Sequence, residues 1–253
     1  TTGRFAIAAV WPPQWLSLES LSLLGVRVRA ESAIAHLPLK RVAHLTIDGS
    51  TCSRPAFVHA LSHLDGPLHL SCESGSSLQY ALHIRSSSSG RIRSLIGLQP
   101  EQNASPERAA FFPRCVLNSP LVAPRVRSLD IAVSLWRYLV PYMVEFEAVS
   151  CVAIVLDTAA GLAPLWKDTR AIVCPVLRTL SLSSPVETQR INADDVLKLL
   201  LDRLRTPRAS PLELVLRGVY LPPDAREELQ GLVAPIADLP YEDIYPAHPR
   251  QMS

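Results

Sequence analysis

The chain has 253 residues, a net charge of +2 and a hydrophobic share of 48%. That length supports a sizeable core, as one domain or one repeat array, and that share excludes global disorder. The small net charge gives no dedicated nucleic-acid or anionic-membrane partner, and no apolar run of about 18 residues is present to span a bilayer.

The sequence opens at Thr1 without Met and is read as a fragment that has lost its natural N-terminus. Phe5–Trp11 is apolar but too short, and wrongly flanked, for a signal peptide. Aliphatic residues in the pattern L-x-x-L-x-L then begin at Leu18 (with Leu21, Leu23), Val42 (Leu45, Ile47), Val126 (Leu129, Ile131), Val149 (Val152, Ile154) and Leu177 (Leu180, Leu182). Their spacings are 24, 84, 23 and 28 residues. Three fall in the period of about 20–29 residues of leucine-rich repeats, and the long one is three periods of 28. Inside it lie two relaxed matches, Leu68-His69-Leu70 and Leu82-His83-Ile84, placed as parallel neighbours. The same template fires at Ile34, Val196 and Leu216, so the set is a selection from an apolar-rich chain.

The segments between the strands read as an outer layer. Ser53-Arg54-Pro55 starts a helix with Pro in its first turn. Phe57, Leu61 and Leu64 form its stripe, and Gly66-Pro67 ends it. Ser86–Gly90 is a serine run, a hairpin tip or a flexible insert. Gln99–Arg114 reads as a surface loop or short helix. Asn192 caps a second helix carrying Asp194 and Asp195 in its first turn. Val196, Leu197, Leu200, Leu201 and Leu204 make its buried face, Lys198 and Asp202 its outer one, and Pro207 closes it. Leu212, Leu214 and Leu216 mark a further strand.

A lone strand of this kind cannot bury its apolar face, whereas stacked parallel strands with outer helices or loops make a continuous core. The expected fold is therefore α/β: an irregular leucine-rich-repeat solenoid of roughly seven or eight repeats with a parallel inner sheet. It covers residues 1–238, and a loosely ordered C-terminal tail covers 239–253.

The stretches VLRTLSLSS (176–184), ADDVLKLLLDRL (193–204) and PLELVLRGVYL (211–221), with PRVRSLDIA (124–132), resemble the leucine-rich region of fungal F-box-like proteins, particularly those of mushroom-forming fungi. The resemblance implies the substrate-binding repeats of an F-box-type ubiquitin ligase receptor, with a protein substrate held by the repeats. No F-box is found in this sequence, so a Skp-type adaptor is implied only if one stands upstream. Three positions after the last leucine, where typical repeats carry Asn, the chain has Val26, Ser50, Ser134, Asp157 and Pro185. No asparagine ladder forms. A general leucine-rich scaffold without ligase link is the alternative, and a hydrolase has no motif behind it.

Five cysteines, none in a C-x-x-C pair, argue against a disulfide framework and structural zinc, and place the chain in the cytoplasm or nucleus. Asn103-Ala104-Ser105 is a lone glycosylation sequon. Cys151 and Cys174 read as small core or near-core residues. His59 and His63 have i, i+4 ligand spacing but lack the glutamate of H-E-x-x-H, so they read as solvated. No G-x-S-x-G, P-loop or dinucleotide fingerprint appears, so no catalytic, cofactor-binding or metal residue is assigned. Arginines outnumber lysines 22 to 3, a bias read as coding composition rather than phosphate recognition. Arg85, Arg91 and Arg93 would pair with a phosphoserine in the serine run, or flank a solvated tip.

Residues between the leucines point to the opposite face. Their central lane reads Ser22, Thr46, His69, His83, Asp130, Ala153, Ser181 and Val215. The partner-binding face is assigned to Thr46, His69, His83, Arg85, Asp130, Ser181 and Arg217. His69 and His83 are taken as equivalent neighbours that favour an acidic partner segment, with Arg85 and Arg217 adding fixed charge.

Overall fold

A computed structural model of the chain describes residues 19–23, 39–48, 54–75, 79–98, 114–143, 146–185, 188–206 and 211–240. Ten strands form one sheet: β1 (Ser20–Leu23), β2 (His44–Asp48), β3 (Leu68–Ser74), β4 (Gln79–Ser86), β5 (Ile92–Leu98), β6 (Val126–Ala132), β7 (Cys151–Val155), β9 (Thr179–Ser183), β12 (Leu212–Arg217) and β14 (Val233–Leu239). The remaining strands are dipeptides in the outer layer: β8 (Ile172–Val173) pairs with β11 (Leu204–Arg205), and β10 (Gln189–Arg190) with β13 (Val219–Tyr220). The spatial order is β1-β2-β5-β4-β3-β6-β7-β9-β12-β14. From β3 onward toward β14 every pair is parallel, as are β1, β2 and β5. Within this sheet β4 alone runs backwards, antiparallel to both β3 and β5.

The strands form where alternation predicts them, and the registers agree. Leu21 pairs with Leu45, and Leu70, Leu129, Val152, Leu180 and Leu214 lie side by side. Next to them run Ile131, Ile154, Leu182 and Leu216. These aliphatic rows are buried but for half-buried Leu21, and stacking like on like gives each strand the apolar cover it lacks alone.

The parallel placement of Leu68–Leu70 and Leu82–Ile84 is overturned. Four residues, 75–78, separate β3 from β4, while a parallel crossover needs about a dozen. The chain can only turn back, and it does so as a hairpin. The serine run is then the tip between β4 and β5, and it is tied down: Ser86 is buried and donates to the Asp65 carbonyl and carboxylate, and Ser89 donates to the same carboxylate. These hydroxyl donors hold the Asp65 carboxyl below its usual range. Gly66 takes a left-handed φ of 60° beneath this tip.

Helix α1 (Arg54–Ser62) follows β2 and buries Phe57, Leu61 and, just past its end, Leu64. After β6 the outer layer is a run of tight turns over 133–142 that buries Val133, Leu135, Trp136 and Leu139. Helix α2 (Ala193–Lys198) is capped by Asn192, whose side chain accepts from the Asp195 amide at 2.7 Å. It then widens into a π-turn over Leu199–Arg203. That extra residue per turn shifts the apolar phase, so Leu199 is buried while Leu201, expected on the buried face, is exposed, and Leu204 belongs to β11 rather than the helix. Helix α3 (Pro223–Leu229) leads to β14, whose last residue is Leu239. The rest of the expected tail, Pro207, Cys52, Gln99–Pro113 and the Asn103 sequon lie outside the described residues, apart from Pro240.

One core residue breaks the aliphatic row. Arg93 pairs with Leu45 on one side and Ile84 on the other and is fully buried. Its Nε donates to the Ala60 carbonyl at 3.1 Å, its Nη1 to Val42, Ala43 and Ile92, and its Nη2 to Leu39 at 3.0 Å. The guanidinium thus fastens the C-terminal turn of α1, where carbonyls lack helical partners and a cation is favoured, to the turn that enters β2. Burial pulls its pKa down to about 10, which leaves it charged at neutral pH. It cannot serve a phosphoserine at the tip.

Candidate functional site: the polar face of the sheet

The alternate residues of the ten strands form rungs across the face opposite the leucines. The central rung reads Ser22, Thr46, Ser94, His83, Ser71, Asp130, Ala153, Ser181, Val215 and Ala237. Thr46, His83, Asp130 and Ser181 therefore share one rung, as expected. Arg217 lies on the same face one rung toward the strand ends. Arg85 and His69 lie one rung the other way, paired with each other.

His69 is the misplaced residue. It pairs with Ser128, while Ser71 pairs with Asp130 and His83. Leu70–Ser71–Cys72, rather than Leu68–His69–Leu70, is thus the stretch in register with Leu129–Asp130–Ile131. A slip of two residues keeps the face and changes the rung, so alternation alone could not detect it. A register shift between Leu68 and His69 adds to it. His69 and His83 are diagonal neighbours on adjacent strands rather than equivalent positions.

Each imidazole sits in a small polar relay. His69 Nδ1 lies 2.6 Å from Ser128 Oγ and its Nε2 lies 3.4 Å from Asp130 Oδ2. His83 Nδ1 lies 2.7 Å from Ser94 Oγ and its Nε2 lies 3.7 Å from Glu73 Oε2. Ser71 Oγ donates to Glu73 Oε1 at 3.0 Å. Further along, Thr179 donates to Glu213 at 3.0 Å. The Cys151 thiol is pushed up to about 11 by burial and by Asp130 and Glu213, with Arg217 pulling the other way. The polar face is thus ordered by its own side-chain hydrogen bonds.

Serine, imidazole and carboxylate together have the composition of a nucleophile relay, but acyl transfer also needs donors for the oxyanion. Here β3, β4, β5 and β6 each have a hydrogen-bonded strand on both sides, so their amides are committed to the ladder. Above the sheet the face offers side-chain donors and acceptors.

Ser128, Ser71, Ser94, Glu73, Glu213 and Asp48 belong to this face and were not singled out from the sequence. Their signal was spacing: Ser128 is two residues from Asp130, and Glu73 is two from Ser71. Which pairs meet depends on strand register, which is not local.

The other sequence candidates are elsewhere. His59 and His63 stack edge to face with centroids 5.1 Å apart. The His59 Nε2 is buried without a hydrogen-bond partner, and burial, then His59, lowers the His63 pKa. Among the described residues no group of three or more His, Cys, Asp or Glu side chains is placed to hold a metal ion. Cys174 is buried, its thiol pushed up to about 12 by burial. Ser134 and Asp157, at the position of the missing asparagine ladder, bond directly: Asp157 Oδ1 accepts from the Ser134 amide at 3.0 Å and Oδ2 from its hydroxyl. A carboxylate thus links two successive turns. Among the described residues no helix is long and apolar enough to cross a membrane. A cavity of about 380 Å³ in the outer layer is lined by Gly161, Trp166, Gln189, Arg190 and Asp195 among others.

No protein-family model matches the chain, and neither a curated protein nor a solved structure matches it.

Proposed function

We propose that the polar face of the sheet is a protein-recognition surface, and that the chain is the substrate-holding repeat region of an F-box-type ubiquitin ligase receptor. The observation that carries the recognition reading is the sorting of the two faces. The aliphatic rows are consumed by the core, while the opposite rungs keep an ordered set of side-chain donors and acceptors along β2 to β12. Sheets with this division present one surface for partners. The ligase part rests on the resemblance of 176–184, 193–204 and 211–221 to fungal F-box-like proteins, and a Skp-type adaptor enters only through an F-box upstream.

The test places bulk on the face. Ser181→Trp and Thr46→Trp should each weaken partner binding in the intact protein. Val58→Trp, at an exposed position on α1, should not. Partners held by the face should become ubiquitinated in cells and accumulate when Ser181→Trp replaces the natural chain. Partners that bind through Ser181 and Thr46 yet keep constant levels would leave a leucine-rich scaffold without ligase link.

A further inference from the structure

We infer that this face takes a basic, extended segment and that acidification releases it. The inference rests on the recognition reading above and adds the partner's charge. Among the described residues the three rungs carry four carboxylates, Asp48, Glu73, Asp130 and Glu213, against two guanidiniums, Arg85 and Arg217. With neutral imidazoles the face is therefore net negative, although the whole chain is +2. The local sign opposes the global one, so composition does not account for it. Complementary charge across an interface sets partner choice, and it selects arginine or lysine here. An acidic segment would meet Glu73 and Asp130 beside the very histidines once expected to attract it.

The release follows from the two relays. His69 faces Arg85 on β4 and Ser128 and Asp130 on β6. His83 faces Ser94 on β5 and Ser71 and Glu73 on β3. Their Nε2 atoms stand 3.4 and 3.7 Å from Asp130 and Glu73, at ion-pair range. Imidazoles ordinarily take a proton between about pH 7 and 6. Protonated rings would neutralise Asp130 and Glu73 from within, leaving Asp48 and Glu213 balanced by Arg85 and Arg217, so the face would lose its net negative charge.

The test uses the intact chain and two labelled eight-residue probes, an Arg-Ser repeat and a Glu-Ser repeat, read by fluorescence anisotropy near physiological salt. The Arg-Ser probe should bind about tenfold more tightly than the Glu-Ser probe at pH 7.5 and lose about tenfold at pH 5.5, in line with close charge pairs at interfaces. Glu73→Gln with Asp130→Asn should lose about tenfold at pH 7.5, and His69→Gln with His83→Gln should flatten the pH step. Glu73→Gln alone, at a partly exposed position, should lose about threefold and keeps the test valid if the double variant unfolds. Equal or tighter binding of the Glu-Ser probe, or indifference to Glu73→Gln, overturns the inference. A library of random 12-residue peptides separates it from the reading beneath. Acidic peptides blocked by Ser181→Trp would leave recognition standing and sink the basic partner. A library yielding no peptide that Ser181→Trp or Thr46→Trp blocks would sink both.

Discussion

Replacing Arg93 by leucine would complete the aliphatic row, and a count of apolar contacts alone predicts a gain. The hydrogen bonds predict the opposite. Leu39 and Ala43 would each keep a backbone donor, from Val42 and Ile92. The Ala60 carbonyl would not, because the amide of Leu64, its helical partner by position, turns to Leu61 instead. The Val42 carbonyl, reached at 3.1 Å, is the second loss. A buried carbonyl left unpaired costs about 1–3 kcal/mol, so two cost about 2–6. Burying leucine returns about 1.5–3 kcal/mol. The expected net loss for Arg93→Leu, taken from the middle of both ranges, is about 2 kcal/mol. Arg93→Lys should fall between, since one ammonium cannot reach carbonyls spread around a planar fork. Urea unfolding at pH 7 should show a lower midpoint with an unchanged slope. A leucine variant as stable as the natural chain, or more so, would refute the reasoning: the arginine would then be tolerated in the row rather than needed by the carbonyls around it.

Asp157→Ala removes the link to Ser134 and should cost about 1–2 kcal/mol, while Asp157→Asn, which can still accept from the Ser134 amide, should cost less; thermal unfolding of both variants checks it. Buried Cys174 and half-buried Cys151 predict alkaline loss of stability: the folded chain holds the Cys151 and Cys174 protons up to about 11 and about 12, whereas unfolded thiols release them near pH 9. The folded form therefore binds more protons above that point, and stability falls as pH rises from 9. Arg93, drawn down to about 10, opposes this only above that value. Urea midpoints under reducing conditions should be level to pH 8.5 and decline between 9 and 10; a level midpoint throughout would count against the burial of these thiols.

The strands were legible because their signal is local. Period-two alternation around Leu45, Leu129, Val152 and Leu180 assigns both position and face, and Thr46, His83, Asp130 and Ser181 fell on one rung for that reason. What was not legible depends on distant partners. Alternation is blind to a two-residue slip, so His69 was set a rung too far along. The reversal of β4 was present in the sequence as a link too short to cross over, but a repeat template assumes every strand points the same way. Arg93 looked like a loop cation beside Arg91, since nothing in IRSLIGL reveals the carbonyls at 39, 42, 43 and 60 that its guanidinium meets. The arginine bias itself gains a structural reading: Arg93, Arg125, Arg127, Arg203 and Arg226 all donate to backbone carbonyls at irregular turns.

The backward strand also settles a matter of parity. One strand inserted between parallel neighbours would leave the chain at the wrong end of the sheet, whereas two restore its direction. β5 accordingly enters with the sense of β2, and the strands from β3 to β14 keep that sense. The inserted pair widens the sheet by two inter-strand spacings, about 9.6 Å, through links of four and five residues that add no outer helix. Deleting it would set Thr46 against Ser71 and remove His83, Arg85 and Ser94 together, while the leucine rows of β6 to β12 would close ranks unchanged. The two-strand insert is thus a cassette: it carries much of the lettering of the polar face and, in Arg93, one clamp of the core.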